Sequence, residues 1–379
     1  MTVATNPTPN AAHGTRHIVL LGAGHAHLQL LTQLAARPLA GTVVTLVAPH
    51  SDQMVTSRVA GFMVGRYATD DLTLALQVLV QRGGIRWITQ NVTALDAAMQ
   101  TLQLDDGSSL RFDWLSVNTS PAQDRTRVEQ AIPGAKEHAL FVRPLEAFAA
   151  LWPRVAEMGD ARPLRITVIG AGTGGVEMAF AVRQRLPQAA VTLLCGDTLP
   201  AAKYPQRLQL RLVGLLKQRN VTVLQDRAIA IKSGFVQLGC GAELACDVPL
   251  LATGTLPPPW LAASGLALDG QGFIAVDMSQ RSISHNQVLS AGDNSARAGQ
   301  ALVHNLAAAV AGRALKTHQL PAPSLHLIAC GDRYAVGSWG RYSFQGRWVW
   351  WLKDRMDRRF LAQYQSIGYI RLNQPATPV

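Results

Sequence analysis

Three glycines, Gly170, Gly172 and Gly175, and an acid two residues further on, Glu177, stand in the stretch Ile166 to Met178, ITVIGAGTGGVEM. A Gly-x-Gly turn after a buried strand lets the backbone reverse tightly, and the following helix points its unpaired N–H groups at whatever occupies the turn. That arrangement suits a pyrophosphate. The third glycine allows the helix to pack closely on the strand. A second copy of the same grammar lies near the N-terminus in His17 to Leu31, HIVLLGAGHAHLQLL. There Gly22 and Gly24 make the turn, His25 and Ala26 open the helix, and His27 stands where the third glycine would be. One such motif is weak evidence. Two, each behind a strand-like run and ahead of a helix, imply two dinucleotides. A carboxylate in the first turn of a helix is favourable by a few tenths to about 1 kcal/mol, which alone could account for Glu177. Its direction toward the ligand side favours a second role, accepting a hydrogen bond from a nicotinamide amide.

The elements that must position these residues follow in chain order. His17 to Leu21 reads as a strand, His25 to Ala36 as a helix and Val43 to Val47 as a second parallel strand. That strand ends in Ala48-Pro49-His50, without the acid that usually grips a ribose. Ser51 to Tyr67 reads as a loop with a short helix over the first turn, in which Arg58 and Arg66 are either phosphate contacts or solvated surface arginines. Asp70 to Arg82 reads as one capped helix, and Val92 to Leu115 alternates around Asp105-Asp106-Gly107, a hairpin signal. A helix over Leu145 to Met158 is expected to kink or restart at Pro153. In the second unit Val191 to Leu194 is a strand whose tip carries Asp197, late but able to swing back to a ribose, so NAD against NADP stays open. Leu250 to Thr255, LLATGT, ends in a small-residue turn where Thr253 and Gly254 let the backbone approach a cofactor. Val288 to Asp293 is a strand stopping on Asp293, placed both to bind a ribitol hydroxyl and to cap the next helix, Gln300 to Leu315.

The chain has 379 residues, 48% of them apolar, enough for two domains and a small third element. Its formal charge of +11 would attract polyanions, but no long Lys/Arg block precedes residue 341, and no fold signature supports nucleic-acid binding. Cys195, Cys240, Cys246 and Cys330 form neither a C-x-x-C pair nor a set at zinc spacing, so neither a metal nor a dithiol site is expected and buried, inert thiols are. Residues 1–16 read as a disordered arm without an export signal, and no apolar run spans a bilayer. The expected location is cytoplasmic, possible contact with the inner face of the membrane included.

With these signals placed, their order resembles the two-dinucleotide-binding-domain flavoproteins of the pyridine nucleotide-disulfide oxidoreductase superfamily. Within it the chain is similar to type II NADH dehydrogenase-like proteins and to the oxidoreductase domain fused to selenophosphate synthases. The resemblance rests on Gly-Ala-Gly-His-Ala-His at 22–27, Gly-Val-Glu at 175–177, Pro-Pro-Trp-Leu at 258–261, Gly-Asp-Arg-Tyr-Ala-Val at 331–336, Trp-Leu-Lys-Asp at 351–354 and Asp-Arg-Arg-Phe at 357–360. It covers about residues 17–365 and implies an α/β fold of two Rossmann-like, glutathione-reductase-type domains, the second inserted in the first. FAD would lie in residues 17–125 and 265–325, along Gly22, Gly24 and Asp293. NAD(P)H would lie in 126–264, along Gly170, Gly172 and Gly175. Hydride would pass to the flavin and electrons on to a small quinone-like acceptor. Two departures stand out: the strand end Val117-Asn118-Thr119-Ser120-Pro121 lacks the usual glycine, and the stretch after Asp293 is short, with Arg297-Ala298-Gly299 as the counterpart of the family's Lys-Ala-Gly. A redox-inactive binding module and a flavin oxidase or monooxygenase are the alternatives.

Residues 326–379 are expected to form a separate C-terminal element. Four of the eight tryptophans, Trp339, Trp348, Trp350 and Trp351, lie among arginines there, and a helix from Trp348 to Tyr364 would align Trp348, Leu352, Met356, Phe360 and Tyr364 as one ridge. Peripheral membrane contact through 339–364 and packing of this ridge on the first domain are equally supported.

Overall fold

The computed structural model describes residues 15–50, 52–119, 123–254, 256–291, 295–318 and 324–365. The chain divides into two compact units, the first from residues 1–50, 79–120 and 260–318, the second from 51–78, 121–259 and 319–379. The expected arm is outside the described residues up to residue 14, as are Asp293 and Thr255.

The first unit is built on a parallel five-stranded sheet in the order Val288–Ser290, Trp114–Val117, Arg16–Leu21, Thr42–Val47, Arg86–Ile88. Ile18, Val19 and Leu20 are wholly buried, as a strand covered on both faces requires. The helix His25–Ala36 packs along the helix Ser295–Val310, which starts five residues before the expected Gln300. The small residues Ala298 and Gly299 at its start are what the contact needs: a Cβ at Gly299 would come 2.6 Å from the Gln29 side chain. The expected meander is the antiparallel sheet Val92–Asp96, Thr101–Leu104, Ser109–Arg111.

The second unit repeats the plan with the parallel order Leu140–Phe141, Val248–Leu251, Arg165–Ile169, Ala190–Leu194, Val221–Leu224. A small antiparallel sheet, Ala228–Lys232, Phe235–Leu238, Glu243–Ala245, is its counterpart of the meander. The helix Leu145–Ala161 runs through Pro153 without a break.

These units differ from the expected domain boundaries in two places. Residues 51–78, assigned to the first domain, group with the second unit. The helix Val59–Met63 carries Val59, Phe62 and Met63 at i, i+3, i+4, and this stripe enters the core formed with Val176, Ala179 and Phe180 of the helix Thr173–Arg185. Burial of each large side chain there is worth about 1.5–3 kcal/mol, and Trp152 Nε1 donates to Met63 O at 3.0 Å. Asp70 to Arg82 is likewise not one helix. Thr73–Ala75 pairs antiparallel with Asp52–Met54, and a helix begins only at Gln77–Arg82.

The second difference is the C-terminal element, which is not separate. Its strands Leu325–Ala329, Ala335–Trp339 and Tyr342–Gly346 form an antiparallel sheet, and Ile328, Cys330 and Val336 join the second unit's core. The helix Arg347–Gln365 turns inward a ridge one residue away from the expected one: Val349 and Leu361 are buried with Lys353 and Asp357 between them, while Trp348 and Met356 are exposed.

Candidate functional site

The mid-chain turn has the geometry its spacing predicts. Gly170 closes the strand Arg165–Ile169 at φ +110°, where a Cβ would come 2.6 Å from Ala252 O. A Cβ on Gly175 would collide with the Gly170 carbonyl oxygen, so helix and strand meet through bare backbone. Gly172 is different: it precedes the helix Thr173–Arg185 at φ −61°, ψ 172°, and a Cβ there would meet nothing within 4 Å. The first and third glycines are thus consumed by folding, and the second faces open space at a helix N-terminus, a cradle that fits a pyrophosphate. Thr253 and Gly254 follow the neighbouring strand Val248–Leu251. Gln123 holds this tip: its Nε2 donates to Leu251 O at 3.0 Å and to Thr253 O at 3.2 Å, and its Oε1 accepts from Arg143 N at 2.9 Å. Asp197 does not join this group; it forms an exposed ion pair with Arg227.

The N-terminal turn has the same backbone. Gly22 has φ +85°, and Gly24 precedes the helix His25–Ala36 at φ −58°, ψ 172°, nearly the angles of Gly172. A Cβ on Gly22 would lie 2.5 Å from Thr119 Cα. What differs is the filling. His27, wholly buried, reaches Gly22 O with Nδ1 at 2.5 Å and Ser116 Oγ with Nε2 at 2.8 Å. Because a carbonyl only accepts, Nδ1 carries the hydrogen and Nε2 accepts from the Ser116 hydroxyl. Burial holds the imidazole's pKa down at about 4, against the Gly22 carbonyl that pulls it up, so the ring is neutral at pH 7. Beside it, Asn118 accepts from Ala26 N at 3.0 Å and His27 N at 3.3 Å through Oδ1, while its carbonyl accepts from Gly24 N at 3.0 Å. The turn has the backbone of a pyrophosphate cradle, with His25 and Ala26 at the opening of the helix, but the N–H groups of Ala26 and His27 are taken by Asn118. Ser116, Asn118 and Gln123 carry no local motif; the non-glycine strand end at Asn118 was their one sequence signal.

Glu177 sits at the meeting of the helix Thr173–Arg185 with the C-terminal element. Its Oε1 accepts from Ala329 N at 2.7 Å. Burial pushes its carboxyl above the usual range, opposed by the charge of Lys353. Burial would lower Lys353, but the charges of Glu177 and Asp357 outweigh it and hold the ammonium above its ordinary value. Lys353 Nζ donates to Asp357 Oδ2 at 2.9 Å and to Ser57 O at 3.4 Å. Tyr67 donates to Asp354 Oδ1 at 3.1 Å, and Asp354 in turn accepts from Arg358 Nε at 2.7 Å. Arg58 lies over the Tyr67 ring, 4.6 Å from its centroid, and Arg66 over Trp350 at 4.9 Å, so both arginines are engaged by aromatic rings of the second unit.

The outer face of the C-terminal helix exposes Trp348 and Trp351, and a cavity of about 750 Å³ lies along it, lined by Arg333, Trp350, Trp351, Arg355, Arg358 and Arg359. No helix among the described residues is long and apolar enough to cross a membrane. Cys195, Cys246 and Cys330 are buried, Cys240 is exposed, and all four are free thiols. Burial pushes both Cys195 and Cys330 up to about 12, so neither is a thiolate at neutral pH.

Known proteins share this fold. A probable ferredoxin reductase of Castellaniella defragrans is 25% identical over 280 residues, 71% of this chain and 65% of that protein. A type II NADH:quinone oxidoreductase of Staphylococcus epidermidis is 24% identical over 209 residues, 50% of each. The match thus spans between half and two thirds of these relatives' own length. The sulfide:quinone oxidoreductase of Aquifex aeolicus has the same fold, with a TM-score of 0.74 at 14% identity over 93% of this chain and 92% of that one. The family model described as pyridine nucleotide-disulphide oxidoreductase matches residues 16–311, and the chain belongs to that family.

Proposed function

We propose that this protein is an FAD-dependent NAD(P)H dehydrogenase that delivers electrons to a small, quinone-like acceptor. Its chemistry at the coarser level is NAD(P)H-dependent flavoprotein oxidoreduction, with FAD and NAD(P)H as the cofactors. The observation that carries NAD(P)H as the electron donor is the open cradle at Gly172, bounded by two glycines that admit no side chain.

When bound, the nicotinamide supplies a hydride and FAD accepts the pair of electrons it carries. The residues bind and orient. Gly170 and Gly175 bring strand and helix together so that the N–H groups after Gly172 hold the NAD(P)H pyrophosphate, and Thr253 and Gly254, fixed by Gln123, let the ligand pass close to backbone. With Oε1 taken by Ala329, Glu177 offers Oε2 to the nicotinamide amide, and the charge of Lys353 opposes the rise that burial imposes on its carboxyl. Gly22, Gly24, His25, Ala26 and the neutral ring of His27 form the FAD turn, with Asp293 as the ribitol ligand of that reading. Asp197 is paired with Arg227 through Oδ2, and a ribose would take its Oδ1.

The acceptor reading rests on the relatives named for quinone and on the exposed Trp348 and Trp351 beside arginines, a combination that suits a membrane interface. On this reading residues 339–364 touch the inner face of the membrane peripherally and the protein is otherwise cytoplasmic. A second reading, transfer to an acidic iron–sulfur carrier, is favoured by the ferredoxin reductase relative and by the arginine-lined cavity.

The test is spectroscopic. The purified protein is expected to be yellow, to bleach with NADH or NADPH under anaerobic conditions, and to regain colour with a soluble quinone. A colourless protein that takes up no added FAD sinks the dehydrogenase reading. Recovery of colour with ferredoxin and not with quinone replaces the acceptor.

A further inference from the structure

The two turns share a backbone but not what lies above the second glycine. Over Gly172 there is open space to 4 Å. Over Gly24 sits the carboxamide of Asn118: a Cβ on Gly24 would lie 2.7 Å from its Cγ. Asn118 is 6% exposed, and the N–H groups of Ala26 and His27 both converge on one of its terminal atoms. That atom must be the oxygen, because two donors cannot share a nitrogen that is itself a donor, so the orientation of the amide is fixed. Nδ2, with two hydrogens, is the other limb of the same planar group.

We propose that Asn118 is the residue through which the first turn binds the dinucleotide pyrophosphate. Oδ1 gathers two N–H groups of the helix start, and Nδ2 presents two N–H donors in their stead. Donors withdrawn from the helix terminus are returned one amide further out. The positive end of the helix dipole polarises that amide, which strengthens Nδ2 as a donor to an anion. This accounts for a polar side chain where the complete turn leaves space, and for an asparagine at a strand end where a glycine would be expected. It rests on the reading that FAD occupies the first turn.

Asn118→Asp separates a ligand from a cap. The carboxylate is nearly isosteric, still accepts from Ala26 and His27, and is favourable at a helix N-terminus, but it replaces the Nδ2 donors by an anion facing the pyrophosphate. FAD affinity, measured by quenching of flavin fluorescence on titration, is expected to fall roughly 10- to 100-fold, the loss of one charge-assisted hydrogen bond. The melting temperature without added FAD is expected to be unchanged or higher, and the weakening to shrink at high salt. Asn118→Gly, which removes cap and donor, is expected to lose both FAD affinity and stability. Wild-type-like FAD binding by Asn118→Asp overturns the proposal, and so does tighter binding by Asn118→Gly, which would make the side chain an obstruction. A wild type that binds no FAD rejects instead the assignment of the cofactor to this protein.

Discussion

His27 gives the sharpest physical test of the first turn. The substitution is His27→Asn, whose Nδ2 takes the place of the imidazole Nδ1 and keeps a donor to Gly22 O while removing the titrating ring. The folded state holds the imidazole at about 4 by burial, against an ordinary value of 6.5. Between those limits the unfolded chain binds the proton and the folded chain does not. Stability from this group is therefore complete above pH 6.5 and is lost as pH falls toward 4. From the two values the loss is about 2 kcal/mol between pH 7 and pH 5, and about 3 kcal/mol by pH 4. The ring is wholly buried, so solvent screening does not reduce it. Urea unfolding of wild type and variant at pH 7 and pH 5 isolates the effect, since carboxylates titrate alike in both. The variant is expected to be less stable at pH 7 by about 1 kcal/mol or more for the unmet Ser116 hydroxyl, and to close that gap by pH 5. Histidine proton NMR should show one ring, absent from the variant, that does not titrate above pH 5. Parallel acid losses in the two proteins, or a His27 resonance titrating near 6.5, would refute the reasoning.

Gly172→Ala and Gly175→Ala should separate binding from packing. The first adds a methyl in open space, so it should melt like wild type yet need more NAD(P)H for half-maximal flavin bleaching; the second meets the Gly170 carbonyl and should cost about 1–3 kcal/mol in urea unfolding. Lys353→Met removes the charge that holds the Glu177 carboxyl down against burial. The Glu177 pKa should then rise further, and the rate of anaerobic NADH bleaching should fall off at a higher pH than in wild type; an unshifted profile would dissociate Glu177 from nucleotide binding. Trp348→Ser with Trp351→Ser, both exposed, should leave melting unchanged and abolish pelleting with acidic liposomes at low salt. A wild type that never pellets removes the membrane contact.

The two glycine turns, their strands and the two small antiparallel sheets were legible because each is encoded within a dozen residues: a β-branched run, a glycine turn, an alternation. The partners of the first turn were not. Ser116 and Asn118 meet His27 across 89 and 91 residues, Gln123 meets Leu251 across 128, and no local period marks such contacts. The C-terminal helix shows a different limit. Its strongest apolar ridge begins at Trp348, but the buried one contains Lys353 and Asp357. Hydrophobic periodicity treats a charge as a mark of solvent, and here two charges are half-buried because they pair with each other, Lys353 standing also in the favourable field of Glu177. Residues 51–78 group with the second unit because the Val59, Phe62, Met63 stripe packs into the core of that unit's helix, a long-range match that no local pattern marks.

The third position of the motif shows why the first turn had to recruit distant residues. In the complete turn Gly175 lets the helix rest on the Gly170 carbonyl, and nothing further is needed. A side chain at that position must either push the helix away or satisfy the carbonyl it meets. His27 does the latter, donating to Gly22 O. A buried imidazole then has a second nitrogen to satisfy, which requires a hydroxyl at Ser116 on the adjacent strand. The same strand, two residues on, supplies Asn118 to the helix start. One departure from glycine thus dictates polar residues at alternate positions of the strand Trp114–Val117 and its end, on the face toward the helix. His27, Ser116 and Asn118 are therefore one structural substitution spread over two elements, and exchanging His27 alone for glycine would not recreate the mid-chain turn. It would leave a ring-sized void, an unmet Ser116 hydroxyl and a Gly22 carbonyl without its donor.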